Sequence, residues 1–435
     1  MACRPIRVES RGRGRVKNGT LQAPPLIDIP SLTGLRFIAA FSIALGHSLP
    51  HTEVWGIDFH GITAIGMPIF FTLSGFIIHY SYADQFAKRQ SAAIPNFAVS
   101  RFSRIYPLYW FLLVVAMVNT PMGSRLLSVD GLPMFAAYIL GVTTWAPFMI
   151  DHSLLAQWYF GISWSISTEM FFYVCYGVAL WRFVRMDRLT CAVTLAVFMV
   201  VAFLFLWLVF RTRDEWEPLL LSADPGLVSR AQDFNNSGYR WLLYLSPYFQ
   251  ILPFIGGVLT CQLYRLTRHY HFAPAVVSTM GWAAIFGIAI LWVEFCWLGR
   301  DGSWLKEQTF AAYVMNLHLN MLFVPLCCLL TYALATGPSS PAGLLSLPVV
   351  VLFGEASYSM YLGSPFALAL VTRFKAYAGP HLPFVTINAW IVLTISAIFA
   401  LSVILYLLVE VPAKRAIRDY WRSCRAKPTR DVSAI

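Results

Sequence analysis

The sequence predicts an all-α polytopic membrane protein, and three observations carry that prediction. Of the 435 residues, 58% are hydrophobic and only 12% are charged, about half the charged share of a soluble chain. Apolar runs of roughly 20 residues, the length that crosses a bilayer as a helix, recur along the whole chain. The runs lack the apolar–polar alternation that an outer-membrane barrel requires.

The runs fall at 31–50, 62–82, 105–119, 132–150, 157–181, 189–210, 241–264, 275–298, 309–335, 345–371 and 384–409. Basic residues decide how many cross. The tail 1–30 carries Arg4, Arg7, Arg11, Arg13, Arg15 and Lys17, and the tail 413–435 carries Lys414, Arg415, Arg418, Arg422, Arg425, Lys427 and Arg430. Both tails are expected in the cytoplasm, flanking a membrane domain at 31–412, and this requires an even number of crossings. The odd run is 132–150, "LPMFAAYILGVTTWAPFMI", which is short and interrupted by Gly141, Thr143, Thr144 and Pro147. It is expected to be re-entrant, leaving about ten transmembrane helices. That threading leaves 22 Lys and Arg inside and nine outside, with Arg36 within a span. The net charge of +11 then reads as a topology signal, and no nucleic-acid partner is expected.

The first apolar run is too long for a signal-peptide core and reads as a retained helix. Eight scattered cysteines show no metal-ligand spacing and read as small core residues, so no metal is expected. The polar insert 211–240 is too short for an independent domain and reads as a lid or substrate-contacting loop.

The first helix, "SLTGLRFIAAFSIALGHS" at 31–48, contains Arg36 and His47. Eleven residues turn a helix by about 1100°, three turns plus about 20°, so both side chains share one face. They are separated by roughly 16 Å along the axis, with Arg36 toward the cytoplasm. A long phosphorylated ligand such as acyl-coenzyme A fits that track, with arginine at the phosphates and histidine as general base at the thioester. Snorkelling of Arg36 and hydration of His47 at the helix ends is the alternative.

Four further stretches bear on the choice. "RFSRIYPLYW" at 101–110 sets Arg101 and Arg104 on one side of a turn, either as positive-inside anchors or as a phosphate clamp with Arg36. "QWYFGISWSISTEMFFY" at 157–173 embeds Glu169, which in this threading lies at the level of His47 and would orient its imidazole, unless it pairs with another donor. Ser74 and Gly75 are small residues suited to close helix packing. Glu410 ends the last span and could pair with the entrance arginines, while Glu355 and His318 are embedded residues without an assigned role.

These motifs together resemble the integral-membrane acyltransferase-3 family of O-acyltransferases. The resemblance rests on Arg36 and His47 in the first helix, "FFTLSGFII" at 70–78, "RFSRIYPLYW", "WSISTE" at 164–169, "ASYSMYL" at 356–362 and Glu410-x-Pro412, all in the family's order. It implies a cytoplasmic acyl-CoA donor, usually acetyl-CoA, and an acceptor hydroxyl on an extracytoplasmic carbohydrate or lipid-linked glycan. It further implies His47 as the catalytic residue with Glu169 as its partner, and Arg36, Arg101 and Arg104 as donor-binding residues. The setting it implies is the lipid bilayer of a bacterial inner membrane, and a homodimer is compatible with it. Many members carry a histidine soon after the "SYSMYL"-type motif, whereas this chain reads Gly363, Ser364, Pro365, so no second site histidine is expected. Direct attack of the acceptor hydroxyl on the thioester is expected, with a covalent acyl-histidine relay as the less favoured variant. The reading from a different class is a secondary transporter or flippase for a glycolipid or anionic solute.

Overall fold

The computed structural model describes residues 29–48, 53–54, 57–119, 122–150, 153–224, 226–299, 321–382 and 386–426. Residues 1–28 and 427–435 of the two expected tails, His318, and the start of the run 309–335 lie outside the described residues. The helices of eight residues or more begin with α1 (Pro30–Ser48), α2 (Gly66–Ala87), α3 (Ala93–Asn119), α4 (Leu132–Leu140) and α5 (Ser163–Val178). There follow α6 (Arg188–Arg211), α7 (Arg213–Ala223), α8 (Pro247–Thr267), α9 (Pro274–Gly299) and α10 (Val324–Thr336). The chain closes with α11 (Pro348–Glu355), α12 (Ser357–Ala378), α13 (Ile387–Leu405) and α14 (Val411–Ala426). The strands described are two-residue hairpin arms only.

Six helical stretches among the described residues are long and apolar enough to cross a membrane: 62–87, 93–119, 188–209, 238–267, 274–294 and 387–425. This establishes the all-α membrane class. The helices α1, α5 and α12 fall outside that set. The first and last of these carry polar residues that lower their hydropathy, and α5 has only 16 residues. The sequence run 345–371 is divided at Ala356, where α11 ends and α12 begins.

The centre is a tight crossing of α2 and α8. A Cβ on Gly257 would sit 1.9 Å from the Thr72 carbonyl oxygen, and one on Gly75 would sit 2.1 Å from that of Phe254. Only glycine lets the backbones approach so closely from both sides. The same device holds α1: a Cβ on Gly34 would meet the Leu345 carbonyl at 1.9 Å, and one on Gly354 the Thr33 carbonyl at 2.0 Å. Aromatic side chains fill the adjoining core, with Phe76, Tyr109, Phe172, Tyr176 and Phe254 fully buried.

The segment 132–150 is not one span. Helix α4 has nine residues and rises about 14 Å, under half of a bilayer core. It ends at Gly141, whose φ of +66° closes the turn. Its last carbonyls, on Tyr138, Ile139 and Leu140, accept hydrogen bonds from Tyr109, Trp110 and Tyr106 of α3 at 2.8, 3.1 and 2.8 Å. Beyond the turn, Ser167 accepts from the Thr144 amide and hydroxyl at 3.0 and 2.8 Å, and Trp241 donates to the Thr144 carbonyl at 3.0 Å. Irregular backbone at membrane depth needs such protein partners.

The glycine crossing yields a test. Gly257→Val overpacks the α2–α8 contact at a cost of about 1–3 kcal/mol, so the melting temperature of the detergent-purified protein falls by several degrees. An unchanged melting temperature would show that the two backbones have room to separate.

Candidate functional site

Helix α1 runs past two compartments. The first is a narrow cavity whose lining includes Arg36 of α1, Ser74 of α2, Arg101 and Arg104 of α3, and Glu169 of α5. Three guanidinium groups thus meet one carboxylate. Ser74 Oγ donates to Glu169 Oε1 at 3.0 Å, and Tyr173 Oη donates to the same oxygen at 2.5 Å. Arg101 is buried, with its guanidinium 5.4 Å from the Tyr82 ring centroid and 5.7 Å from that of Tyr173. Among the described residues, its Nε has no hydrogen-bond partner. Among the described residues, no hydrogen bond or ion pair engages the guanidinium of Arg36 or Arg104.

A second carboxylate stands behind the arginines. Glu410 is buried in the π-helical turn Tyr406–Glu410 that joins α13 to α14, and its Oε2 accepts from Ser359 Oγ at 2.7 Å. The charges that bear on Arg36 are Arg104, Glu410, Glu169 and Arg101, and those on Lys414 include Arg104, Arg418, Glu410 and Arg36. Cations therefore outnumber carboxylates in a region of low dielectric, where an unpaired guanidinium costs several kcal/mol. A bound polyanion offsets that cost through charge-assisted hydrogen bonds.

The second compartment is a wider cleft, and His47 lines it. Gln157, Asn235, Arg240, Tyr244 and Arg373 border the same cleft. The Arg240 guanidinium lies 5.3 Å from the Tyr244 ring centroid, and Tyr244 packs against Trp164 at 5.0 Å between centroids. The insert 211–240 reaches the cleft through Asn235 and Arg240. Asp233, accepting from the amides of Asn235 and Asn236, shapes the turn that presents them. Met67 and Tyr361 line both compartments and form the wall between them. Tyr361 is held by a hydrogen bond with Ser165 Oγ at 2.8 Å, and Tyr358, one turn earlier, donates to the Ile105 carbonyl at 2.8 Å.

The structure brings Arg36, Arg101, Arg104 and Glu169 together and sets His47 apart in the second compartment. The expected pairing of Glu169 with His47 is therefore corrected. Helix α5 begins only at Ser163, so Glu169 lies nearly two turns along it and lines the arginine compartment, where its hydrogen bonds come from Ser74 and Tyr173. Sequence reasoning missed Met67, Tyr173, Tyr361 and Arg240. The spacing of Tyr358 and Tyr361 on one helical face was a usable signal for the wall. Nothing local marks Arg240, because its place depends on how the insert folds back. Glu355 accepts from Tyr406 at 3.0 Å, an exposed structural contact. Among the described residues, no group of three or more His, Cys, Asp or Glu could hold a metal ion.

Removing one charge tests this balance. Glu410→Ala takes away a buried carboxylate beside Arg36, Arg104 and Lys414, and breaking such a set costs on the order of 3 kcal/mol. The melting temperature falls, and added pyrophosphate recovers part of the loss by neutralising the same cations. A variant as stable as the parent would show that Glu410 does not balance the arginines.

Comparison with known proteins gives an independent line. A family profile described as an acyltransferase domain matches residues 29–409. The acyltransferase MdmB of Streptomyces mycarofaciens is 27% identical over 283 residues, 61% of this chain and 65% of that protein. The peptidoglycan O-acetyltransferase OatA of Listeria monocytogenes is 27% identical over 167 residues, 36% of this chain and 25% of that protein. The chain spans less than two thirds of the length of these relatives. No solved structure matches it.

Proposed function

The chain belongs to the acyltransferase-3 family, and from that membership we propose that it is a membrane O-acyltransferase. It moves an acyl group, acetyl in the first instance, from cytoplasmic acyl-CoA to a hydroxyl of an extracytoplasmic carbohydrate or lipid-linked glycan. The observation that carries this reading is the division of α1 between two compartments, with clustered arginines at one end and His47 at the other. The arginine compartment suits the donor phosphates. The cleft, with aromatic faces beside Gln157, Asn235 and Arg240, suits a sugar, which presents apolar ring faces and a rim of hydroxyls.

In this mechanism the pantetheine arm passes the Met67–Tyr361 wall and brings the thioester to His47. An imidazole nitrogen of His47 takes the proton of the acceptor hydroxyl as its oxygen attacks the thioester carbonyl. The carbon–sulfur bond then breaks, and the coenzyme A thiolate leaves with the proton that His47 returns. Glu169, held by Ser74 and Tyr173, positions the donor-binding arginines. The basic residues of α14 beside this compartment support a cytoplasmic location for it, with the cleft outside. A bacterial inner membrane fits that orientation, since its outer face meets the envelope glycans.

Two compartments behind one wall also suit a transporter of anionic glycolipids, and one experiment separates the readings. Purified protein in nanodiscs is given radiolabelled acetyl-CoA, and binding and slow thioester hydrolysis are measured. Wild type binds and hydrolyses; His47→Ala binds but turns over at least about a hundredfold more slowly, the usual scale of a lost general base. Arg36→Ala and Arg104→Ala each lose roughly tenfold or more in affinity, the scale of a charge-assisted hydrogen bond. Absence of acyl-CoA binding in wild type would favour the transporter.

A further inference from the structure

A third compartment lies outside the two already described. It is a groove between the start of α3 and the C-terminal helix α14, and its lining includes Tyr82, Asn96, Ser100, Arg418, Trp421 and Arg422. The helix that forms one wall continues from 387 to 425, 39 residues or about 58 Å, roughly twice what a bilayer core requires. Its last turns therefore stand clear of the hydrocarbon, and they carry a dense basic face.

The groove is fixed by specific contacts. Arg418 Nη2 donates to Ser100 Oγ at 3.0 Å, and Trp421 Nε1 donates to Asn96 Oδ1 at 2.9 Å. Arg425 donates to the same Asn96 oxygen at 2.8 Å and lies 5.8 Å from the Trp421 ring centroid. Arg422 is open to solvent, and its guanidinium lies 3.6 Å from the exposed carboxylate of Asp419. The groove also adjoins the arginine cavity. Tyr82 lines the groove, and the ring of Tyr82 carries Arg101, which lines the cavity. Arg101, Arg104 and Arg422 are the cations that bear on Arg418. A track of positive charge thus runs from Arg36 at depth through Arg104 and Lys414 to Arg418 and Arg422 at the surface.

We infer that this groove is the nucleotide end of the donor site, taking a purine nucleoside that bears a 3′-phosphate. The adenine lies against the Trp421 indole, the 3′-phosphate is held by Arg418 and Arg422, and the diphosphate follows the track toward Arg104 and Arg36. Stacking needs a flat aromatic face beside a hydrogen-bonding edge, and Trp421 with Asn96 supplies both. A phosphate needs exposed guanidinium groups with spare donors, and Arg422 supplies them. The inference rests on the acyl-CoA reading and extends it to a helix outside the membrane-embedded site.

The test is equilibrium binding of coenzyme A and of 3′-dephospho-coenzyme A to the full chain in phosphatidylcholine nanodiscs. Wild type prefers coenzyme A by about tenfold or more, the scale of charge-assisted phosphate contacts. Arg422→Gln and Arg418→Gln each reduce that preference to about twofold or less, and Trp421→Ala weakens both ligands together. The preference is a ratio within one preparation, so partial misfolding cannot mimic its loss. Equal binding of the two ligands by wild type, or variants that keep the preference, overturns the nucleotide site and leaves the acyl-CoA reading standing. Failure of wild type to bind either ligand overturns both. Anionic lipid is the competing occupant. If phosphatidylglycerol raises the melting temperature, Arg422→Gln abolishes that rise and the coenzyme A preference persists, the groove binds headgroups and the inference falls.

Discussion

Three guanidinium groups held at one end of α1 inside a membrane domain are the constraint on which the rest of the structure depends. Arg36, Arg101 and Arg104 sit where charges are costly, and Glu169 and Glu410 balance them only in part. Each carboxylate is itself held in place, Glu169 by Ser74 and Tyr173 and Glu410 by Ser359. Arg101 is further sheltered between two tyrosine rings. Such a cluster persists only if its scaffold cannot relax, and the glycine contacts that clamp α1 and lock α2 to α8 provide that rigidity.

The same rigidity separates the two ends of α1. Met67 and Tyr361 stand between the arginine cavity and the His47 cleft, and Tyr361 is pinned through Ser165. A ligand that engages both ends must therefore be thin where it crosses the wall and charged only at one end. This geometry keeps the clustered guanidinium groups and the imidazole of His47 in separate compartments.

The irregular backbone that follows α4 at Gly141 is tolerated because aromatic and hydroxyl side chains satisfy it. Tyr106, Tyr109 and Trp110 hold the end of α4, and Ser167 and Trp241 hold the turn that follows. All of these but Trp241 lie in the motifs at 101–110 and 164–169. The motifs therefore serve two purposes. One face of each helix carries site residues, and the other face supports the segment that frames the cleft.

Much of this was legible in the chain itself. Composition and apolar run length determined the membrane class, and the eleven-residue interval determined that Arg36 and His47 share a face, because both follow from local helix geometry. The weak run 132–150 was legible from Gly141 and Pro147, whose backbone preferences act locally. The partner of Glu169 was decided only by tertiary structure: it depends on where α5 starts after the irregular segment, and a shift of one or two turns moves a side chain between compartments. The wall at Tyr361, the place of Arg240 on the cleft and the groove between α3 and α14 were likewise settled by packing. Each joins residues far apart in sequence, and local propensity carries no information about which distant helix faces will meet.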